Sequence, residues 1–317
     1  MKYIEWLSIW LNNYIKPSAK ERTYIRYEQL IRTHIVPKIG GNDVNDLTPI
    51  VLQSFVTELL SSGNDKTGKG LSTNTVNAII SVLQNSLRTA HLLGYAKDYT
   101  ANMIKRPKLN ERKIECFTLA EQKKIETAAL NSKKTKMFGI VLCLYTGLRI
   151  GELIALQWKD IDWDQKVLSV KKQVQSIDNC SGNWFVCDLK TKSSYRELPI
   201  CDVLYSELKK YHDEVNKFKN YSDEFFIFGP DFGITPLSHC QAQRRKKMIA
   251  ESADVKEIRL HDFRHSCASL LINVGTPITT VSKYMGHASV TETLNTYSHM
   301  FKNDFDNVSN TFNRLNK

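Results

Sequence analysis

"YMGHASVTETLNTYSHM", residues 284–300, sets His287 ten residues before Tyr297, with helix-end signals on both sides. Just upstream, "TPITTVSKYMGH" reads as a helix with Thr276 as N-cap, Pro277 at the first position and Gly286 as its stop. "SVTE" then supplies Ser289 and Glu292 as a capping box, which opens a short helix carrying Tyr297. Helix, glycine turn, helix is the outline of a DNA-reading helix-turn-helix. Yet the second helix offers Thr, Glu, Leu, Asn and Tyr and no Arg or Lys, which is poor equipment for guanines and phosphates. Three readings stay open from the stretch alone: a DNA-reading motif, ordinary core, or a reactive tyrosine beside a histidine.

Two other stretches combine unusual residues with tight local geometry. "YTGLRIGELIALQW" breaks an apolar helix at Gly147 and puts Arg149 just ahead of a new helix beginning near Gly151. The macrodipole at a helix start favours anions, so an arginine there suits a bound phosphate beside free N–H groups. Glu152, three residues on, is placed to orient it; a surface arginine capped by its own glutamate is the simpler alternative. In "RLHDFRHSCASLLINVG", Ala268, Ser269, Leu270 and Leu271 indicate a buried helix that ends at Gly275. His261 and Arg264 project from one face near its start, and His265 falls four residues after His261.

Outward from these stretches the chain divides in two. Over the first hundred residues, apolar positions recur at helical spacing: Trp6, Ile9, Trp10 and Tyr14, then Tyr24, Tyr27, Leu30 and Ile31. "DLTPIVLQSFVTELLSSG" has Thr48 as N-cap, Pro49 at the first position and Gly63 at the end. A further helix buries Ile79, Ile80, Val82, Leu83, Leu87 and Leu92 and stops at Gly94, so four helices fit the region. The basic segment around Lys105, Arg106, Lys108, Arg112 and Lys113 has little apolar periodicity and reads as a linker able to follow a phosphate backbone, or as a solvated connection. Thr118 and Glu121 then form a capping box at the start of a second region. Its helical spacing gives way to "KVLSVKKQV", "GNWFVCDLK" and "YRELPI", which predict a three-stranded antiparallel meander, before helices resume. The expected fold is mainly α: a helical domain over 1–104, a basic linker over 105–112, and a mixed α/β domain with a small three-stranded antiparallel sheet over 113–317.

Composition narrows the partners. The chain of 317 residues, 42% hydrophobic and 24% charged, is long enough for two domains with their own cores. Its net charge of +11 is spread along it: residues 1–112 carry 15 Lys+Arg against 9 Asp+Glu, the rest 29 against 24, so +6 and +5. A polyanion that touches both halves accounts for this, as does a merely solvated basic surface. Seven cysteines without a CxxC pair argue for reduced thiols in a cytoplasmic protein and against a zinc cluster or disulfide framework. The N-terminal apolar run contains Glu5 and no cleavage site, and no stretch approaches roughly 18 uninterrupted apolar residues, so neither a signal peptide nor a membrane span is expected.

"TGLRIGEL", "HDFRHS" and "YMGHASVTETLNTYSH", in that order and at these separations, closely resemble the tyrosine recombinases, or phage integrase family, particularly integrases of conjugative transposons and temperate phages. The resemblance covers nearly the whole chain. It implies that the N-terminal helical region is a core-DNA-binding domain and that residues from about 113 onward are catalytic. By it, Arg149 matches the first catalytic arginine with Glu152 in supporting position, His261 and Arg264 the HxxR pair, His287 the second histidine and Tyr297 the nucleophile. The family's lysine between two strands corresponds to Lys190, with Lys192 as the alternative; His265 receives no role and is read as structural.

The activity so implied is site-specific strand exchange through a 3′-phosphotyrosyl intermediate, on double-stranded DNA, by a homotetramer bound to two sites. An excision factor or DNA-bending protein is an accessory partner the resemblance brings in. Arginines would stabilise the transition state, and no acidic cluster offers to hold Mg²⁺, so no metal and no cofactor are expected. Many relatives carry an arm-binding domain ahead of the helical one; a chain starting at the helical domain either lacks it or is truncated. The competing readings are a type IB topoisomerase-like enzyme and a non-catalytic helix-turn-helix regulator. The tail's Phe301, Phe305, Val308 and Phe312 fall at helical spacing and would pack on their own domain or on a neighbouring subunit.

Overall fold

The structure is a computed structural model that describes residues 1–64, 67–109, 114–132, 138–176, 184–298 and 313. Residue contacts divide the chain into two units, Met1–Arg112 and Lys113–Lys317.

The first unit is helical. Helix α1 (Tyr3–Trp10) runs on in one π-helical turn to Ile15; α2 (Glu21–Leu30) continues through another into α3 (Val36–Ile39); α4 (Pro49–Ser62) and α5 (Thr73–Leu92) follow. The Thr48 hydroxyl accepts from the Val51 amide and Pro49 opens α4, so that helix starts where its signals placed it. The buried face of α1 is Tyr3, Trp6, Leu7 and Trp10, whereas Ile9 and Tyr14 lie outside it. On α5 the buried stripe runs from Val76 to Ala90, and Leu92, expected to extend it, is 72% exposed. Ile9 and Leu92 are exposed because, at helical spacing, each points away from the face that its buried neighbours share. Polar atoms inside this core are neutral and paired: Tyr3 Oη lies 2.7 Å from Ser86 Oγ, and Trp6 Nε1 donates to the Ser86 carbonyl at 3.0 Å.

Beyond α5 a short 3₁₀ turn, Thr100–Met103, leads into the basic segment, which is tied down. Arg106 donates to the Asn77 carbonyl, Ser81 Oγ and Gln84 Oε1 along α5, and Asn77 Nδ2 donates to the Pro107 carbonyl. Lys105 and Lys108 are exposed. Arg112 and the tail positions Phe301, Phe305, Val308 and Phe312 lie outside the described residues.

The second unit opens with α6 (Leu119–Leu130), whose Thr118/Glu121 capping box is formed in both directions. All of α7 (Phe138–Thr146) except Tyr145 is buried, so this helix runs through the centre of the core. Short α8 (Ile150–Ala155) follows, then five strands: β1 (Ile161–Asp162), β2 (Val167–Val170), β3 (Lys172–Ser176), β4 (Trp184–Asp188) and β5 (Arg196–Pro199). The expected single meander is two sheets instead. One has the order β1-β2-β5, with Leu168 opposite Ile161 and Leu198; the other is the β3-β4 pair, with Val174 opposite Val186. "KVLSVKKQV" therefore splits at Lys171. The reason is burial: β2 alternates with Leu168 and Val170 inside, while β4 has no buried residue and cannot be a central strand.

Helices α9 (Asp202–Val215), α10 (His239–Ser252), α11 (Leu260–Asn273), α12 (Ile278–Met285) and α13 (Val290–Tyr297) follow among the described residues. Helix α12 begins one residue later than its signals indicate, with Pro277 itself as N-cap, and ends at Gly286 in the left-handed conformation. Ser289 caps α13 by position only, with no side-chain hydrogen bond. Cys240 is disulfide-bonded, which corrects the expectation of reduced thiols throughout. Cys116, Cys143, Cys201 and Cys267 carry thiols outside any disulfide.

Candidate active site

The site is assembled where three chain reversals meet: the Gly147 turn before α8, the start of α11, and the Gly286 turn between α12 and α13. Gly147 has φ +60°, and a Cβ there would stand 2.5 Å from Met285 Sδ, so the turn closes only around glycine. The carbonyls exposed by these turns are the anchors of two arginines. Arg264, 3% exposed, donates through Nη1 to the Gly147 carbonyl and through Nη2 to the Met285 carbonyl, both at 2.6 Å. Arg149 donates to the Gly286 carbonyl at 3.2 Å and pairs with Glu152 Oε1 at 2.8 Å, keeping a third of its side chain exposed.

Glu152 is the carboxylate at the centre of this cluster, 1% exposed. Its Oε2 accepts from the Arg149 amide at 3.0 Å and from Arg196 Nη2 at 2.9 Å. Burial alone would raise its pKa; Arg196, the Arg149 amide and the Arg149 guanidinium outweigh that and hold the carboxyl below its ordinary range. Asp262, the neighbouring buried acid, is gripped by Arg259 through two 2.8 Å hydrogen bonds. Arg149 and Arg196 thus share one central carboxylate, Arg264 has only carbonyls as partners, and the cluster has positive charge to spare. Burial, and then Arg149 beside it, lower the Arg264 pKa to about 9, the signature of a guanidinium in need of an anion. An oxyanion with several acceptor atoms, such as a phosphodiester, meets that need.

The titratable groups stand around this charge. His287 Nδ1 lies 2.7 Å from Thr293 Oγ1 and Nε2 lies 3.9 Å from Glu292 Oε1; burial, and then Arg264, bring its pKa down to about 4, so the ring is neutral. Glu292 thus faces His287 and does not close the expected capping box with Ser289. His261, at the start of α11, has its pKa lowered by burial and then by Arg264, and its ring meets that of His265 edge to face at 4.8 Å. Tyr297 is 2% exposed, packed with Cys267, Ala268, Ile272, Val281 and Met285. Its hydroxyl lies 2.7 Å from His265 Nδ1; burial pushes its pKa up and Arg264 pulls it back down.

Of the residues singled out in sequence, the structure brings Arg149, Glu152, His261, Arg264, His287 and Tyr297 together. Lys190 and Lys192 are exposed on the segment between β4 and β5, and among the described residues neither hydrogen-bonds that group. The segment is nonetheless adjacent: a Cβ on Gly286 would lie 3.2 Å from the Ser193 carbonyl. Three participants escaped the sequence reading. Arg196 links β5 to Glu152 and to the Tyr284 carbonyl, Thr293 holds His287, and His265 holds Tyr297. The one available signal was the four-residue spacing of His261 and His265; the others meet across 44 residues or turn inward on a helix that looks polar.

The phage integrase family model matches residues 115–304, and the model of the phage integrase N-terminal SAM-like domain matches residues 3–60. The chain belongs to the phage integrase family. Among its relatives, the ICEBs1 integrase of Bacillus subtilis (strain 168) is 31% identical over 291 residues, covering 90% of this chain and 76% of the relative. A tyrosine recombinase XerC-like protein of Caldanaerobacter subterraneus subsp. tengcongensis is 30% identical over 328 residues, covering 96% and 81%. The fold matches that of the Tn1549 transposon integrase in complex with transposon right end DNA, with a TM-score of 0.78 over the whole of both chains at 22% identity. This phage integrase family chain is therefore a tyrosine recombinase, an enzyme of site-specific DNA recombination. In it the helix-turn-helix outline of α12 and α13 has another use. Their turn carbonyls anchor Arg149 and Arg264, and α13 turns Thr293 and Tyr297 inward. No helix among the described residues is long and apolar enough to cross a membrane.

Proposed function

We propose that the oxygen of Tyr297 attacks a DNA phosphodiester held by Arg149 and Arg264, forming a 3′-phosphotyrosyl bond as the 5′-oxygen leaves. The observation that supports this is the meeting of a buried tyrosine, two histidines and a cluster of guanidiniums with one shared carboxylate at three chain reversals. The arginines neutralise charge that grows on the non-bridging oxygens of the transition state. His261 assists removal of the phenolic proton, which a group of ordinary pKa about 10 retains at neutral pH. His287 hydrogen-bonds the phosphate, and Lys190 protonates the leaving 5′-oxygen, with Lys192 as the alternative. Attack by a 5′-hydroxyl from a partner strand reverses the step, because the phosphotyrosine retains the energy of the broken bond.

The substrate is a pair of double-stranded recombination sites, exchanged by a homotetramer in the cytoplasm with an excision factor or DNA-bending protein as accessory. Exposed Lys105 and Lys108 contact phosphates, whereas Arg106 is engaged with α5. The test is a nicked suicide duplex carrying the cognate site: wild type accumulates a covalent adduct and Tyr297→Phe does not. An adduct in Tyr297→Phe overturns the assignment. For the lysine, a 5′-bridging phosphorothiolate restores cleavage to Lys190→Ala; rescue of Lys192→Ala alone transfers the role to Lys192.

A further inference from the structure

The Tyr297 hydroxyl has a partner that the roles proposed above leave without a task. His265 Nδ1 lies 2.7 Å from the phenolic oxygen, and the two rings meet at 5.8 Å and 62°. Behind it, the His261 ring packs edge to face on His265 at 4.8 Å. One turn of α11 separates the two histidines, so the helix backbone fixes the spacing. The tyrosine ring is fixed as well, clamped among Cys267, Ala268, Ile272, Val281 and Met285. What remains free in a clamped phenol is rotation about its C–O bond, which decides where the proton and the oxygen lone pairs point. An acceptor at hydrogen-bond distance settles that rotation.

We propose that His265 is the positioning residue of the nucleophile: its imidazole, carrying its proton on Nε2, accepts a hydrogen bond from the Tyr297 hydroxyl at Nδ1 and turns an oxygen lone pair toward the phosphate. The inference rests on Tyr297 being the nucleophile. The surroundings keep the ring in the form this needs. Burial, and then His261, bring its pKa down to about 4, with Arg264 and Arg259 acting in the same sense and Asp262 against them. At neutral pH the ring is therefore uncharged, and with its proton on Nε2 the Nδ1 lone pair faces the phenol. So weak a base accepts the hydrogen bond without retaining the proton; the proton leaves Tyr297 as the O–P bond forms, with the assistance of His261, whose ring packs on His265 at 4.8 Å.

The test compares wild type, His265→Phe, His265→Asn and Tyr297→Phe for single-turnover cleavage of the suicide duplex, with DNA affinity and Tm measured in parallel. Phenylalanine retains a ring without an acceptor, whereas the asparagine carbonyl stands close to where Nδ1 stood. His265→Phe is expected to cleave about a hundredfold more slowly at unchanged DNA affinity, the effect of a misdirected reacting atom. His265→Asn is expected to recover about tenfold or more of that loss, which a merely space-filling role would not allow. If His265→Phe does not fold, His265→Ala replaces it under the same criterion. Wild-type rates in the acceptor-less variant, or a folded His265→Asn no faster than it, overturn the proposal while leaving Tyr297 as nucleophile. An adduct persisting in Tyr297→Phe removes the nucleophile and this inference together.

Discussion

The two units bury polar groups in opposite ways. In the first, polar atoms inside the core, among them those of Tyr3, Trp6, Trp10 and Ser86, are neutral and paired at 2.7–3.3 Å. In the second, Arg264, Arg196 and Glu152 are buried as charges, with the guanidiniums held by carbonyls of two turns and by one carboxylate. Neutral pairs lock a helical core at little electrostatic cost. Buried guanidiniums carry a large desolvation cost, and the charge left over is what an incoming phosphate satisfies. The first arrangement serves stability; the second holds a site in readiness for an anion.

That contrast is broken most severely at Arg264. Arg264→Lys keeps a cation but loses the fork that reaches both carbonyls, and single-turnover cleavage is expected to fall by about a hundred- to a thousandfold. Next comes Glu152→Gln, which leaves Arg196 buried beside a neutral amide. Denaturant unfolding is expected to show a loss of about 3–5 kcal/mol, together with lost cleavage. In the first unit, Leu83→Ala opens a cavity in a fully buried stripe and costs about 2–5 kcal/mol, and the cleavage rate of the folded fraction bound to DNA stays near wild type.

Acid sharpens the comparison. His265 and His287 have pKa values lowered from 6.5 to about 4, so between these values the unfolded chain takes up protons that the folded chain refuses. Their contribution is complete above pH 6.5 and disappears as pH falls toward 4, and residue-resolved hydrogen exchange should show the catalytic unit opening in that window. In the first unit, Asp43 is lowered from 3.8 to about 2 by its hydrogen bond to the N-terminal amine, so its contribution is lost only below pH 3.8. The smallest effect is expected of Tyr3→Phe: about 1 kcal/mol in thermal or denaturant unfolding, since Ser86 keeps its bond to the Leu83 carbonyl, with cleavage unchanged.

Periodicity and caps made the helices legible, since Thr48, Thr118 and Gly286 act locally and their geometry needs no distant partner. Sheet membership was not legible in that way. Whether β5 pairs with β4 or with β2 depends on which strand has an inner face to cover, and only the folded core decides that. Within the site, Arg149 with Glu152 and His261 with Arg264 stood out because each pair sits three residues apart on one helix start. Arg196, Thr293 and the contact of His265 with Tyr297 did not stand out, because they arise from chain reversals that bring β5, α11 and α13 together. The capping box expected of Ser289 and Glu292 does not form; the Glu292 carboxylate lies 3.9 Å from His287 Nε2 instead.

The charge-bearing cluster serves one buried phenol in the proposed reaction. The most direct test is to trap the covalent adduct on a suicide duplex, digest the protein and find by mass spectrometry which residue carries the nucleotide. The nucleotide is expected on Tyr297, linked through a 3′-phosphate, with the released strand ending in a 5′-hydroxyl. A nucleotide on any other side chain, or a 5′-phosphate on the released strand, would contradict it.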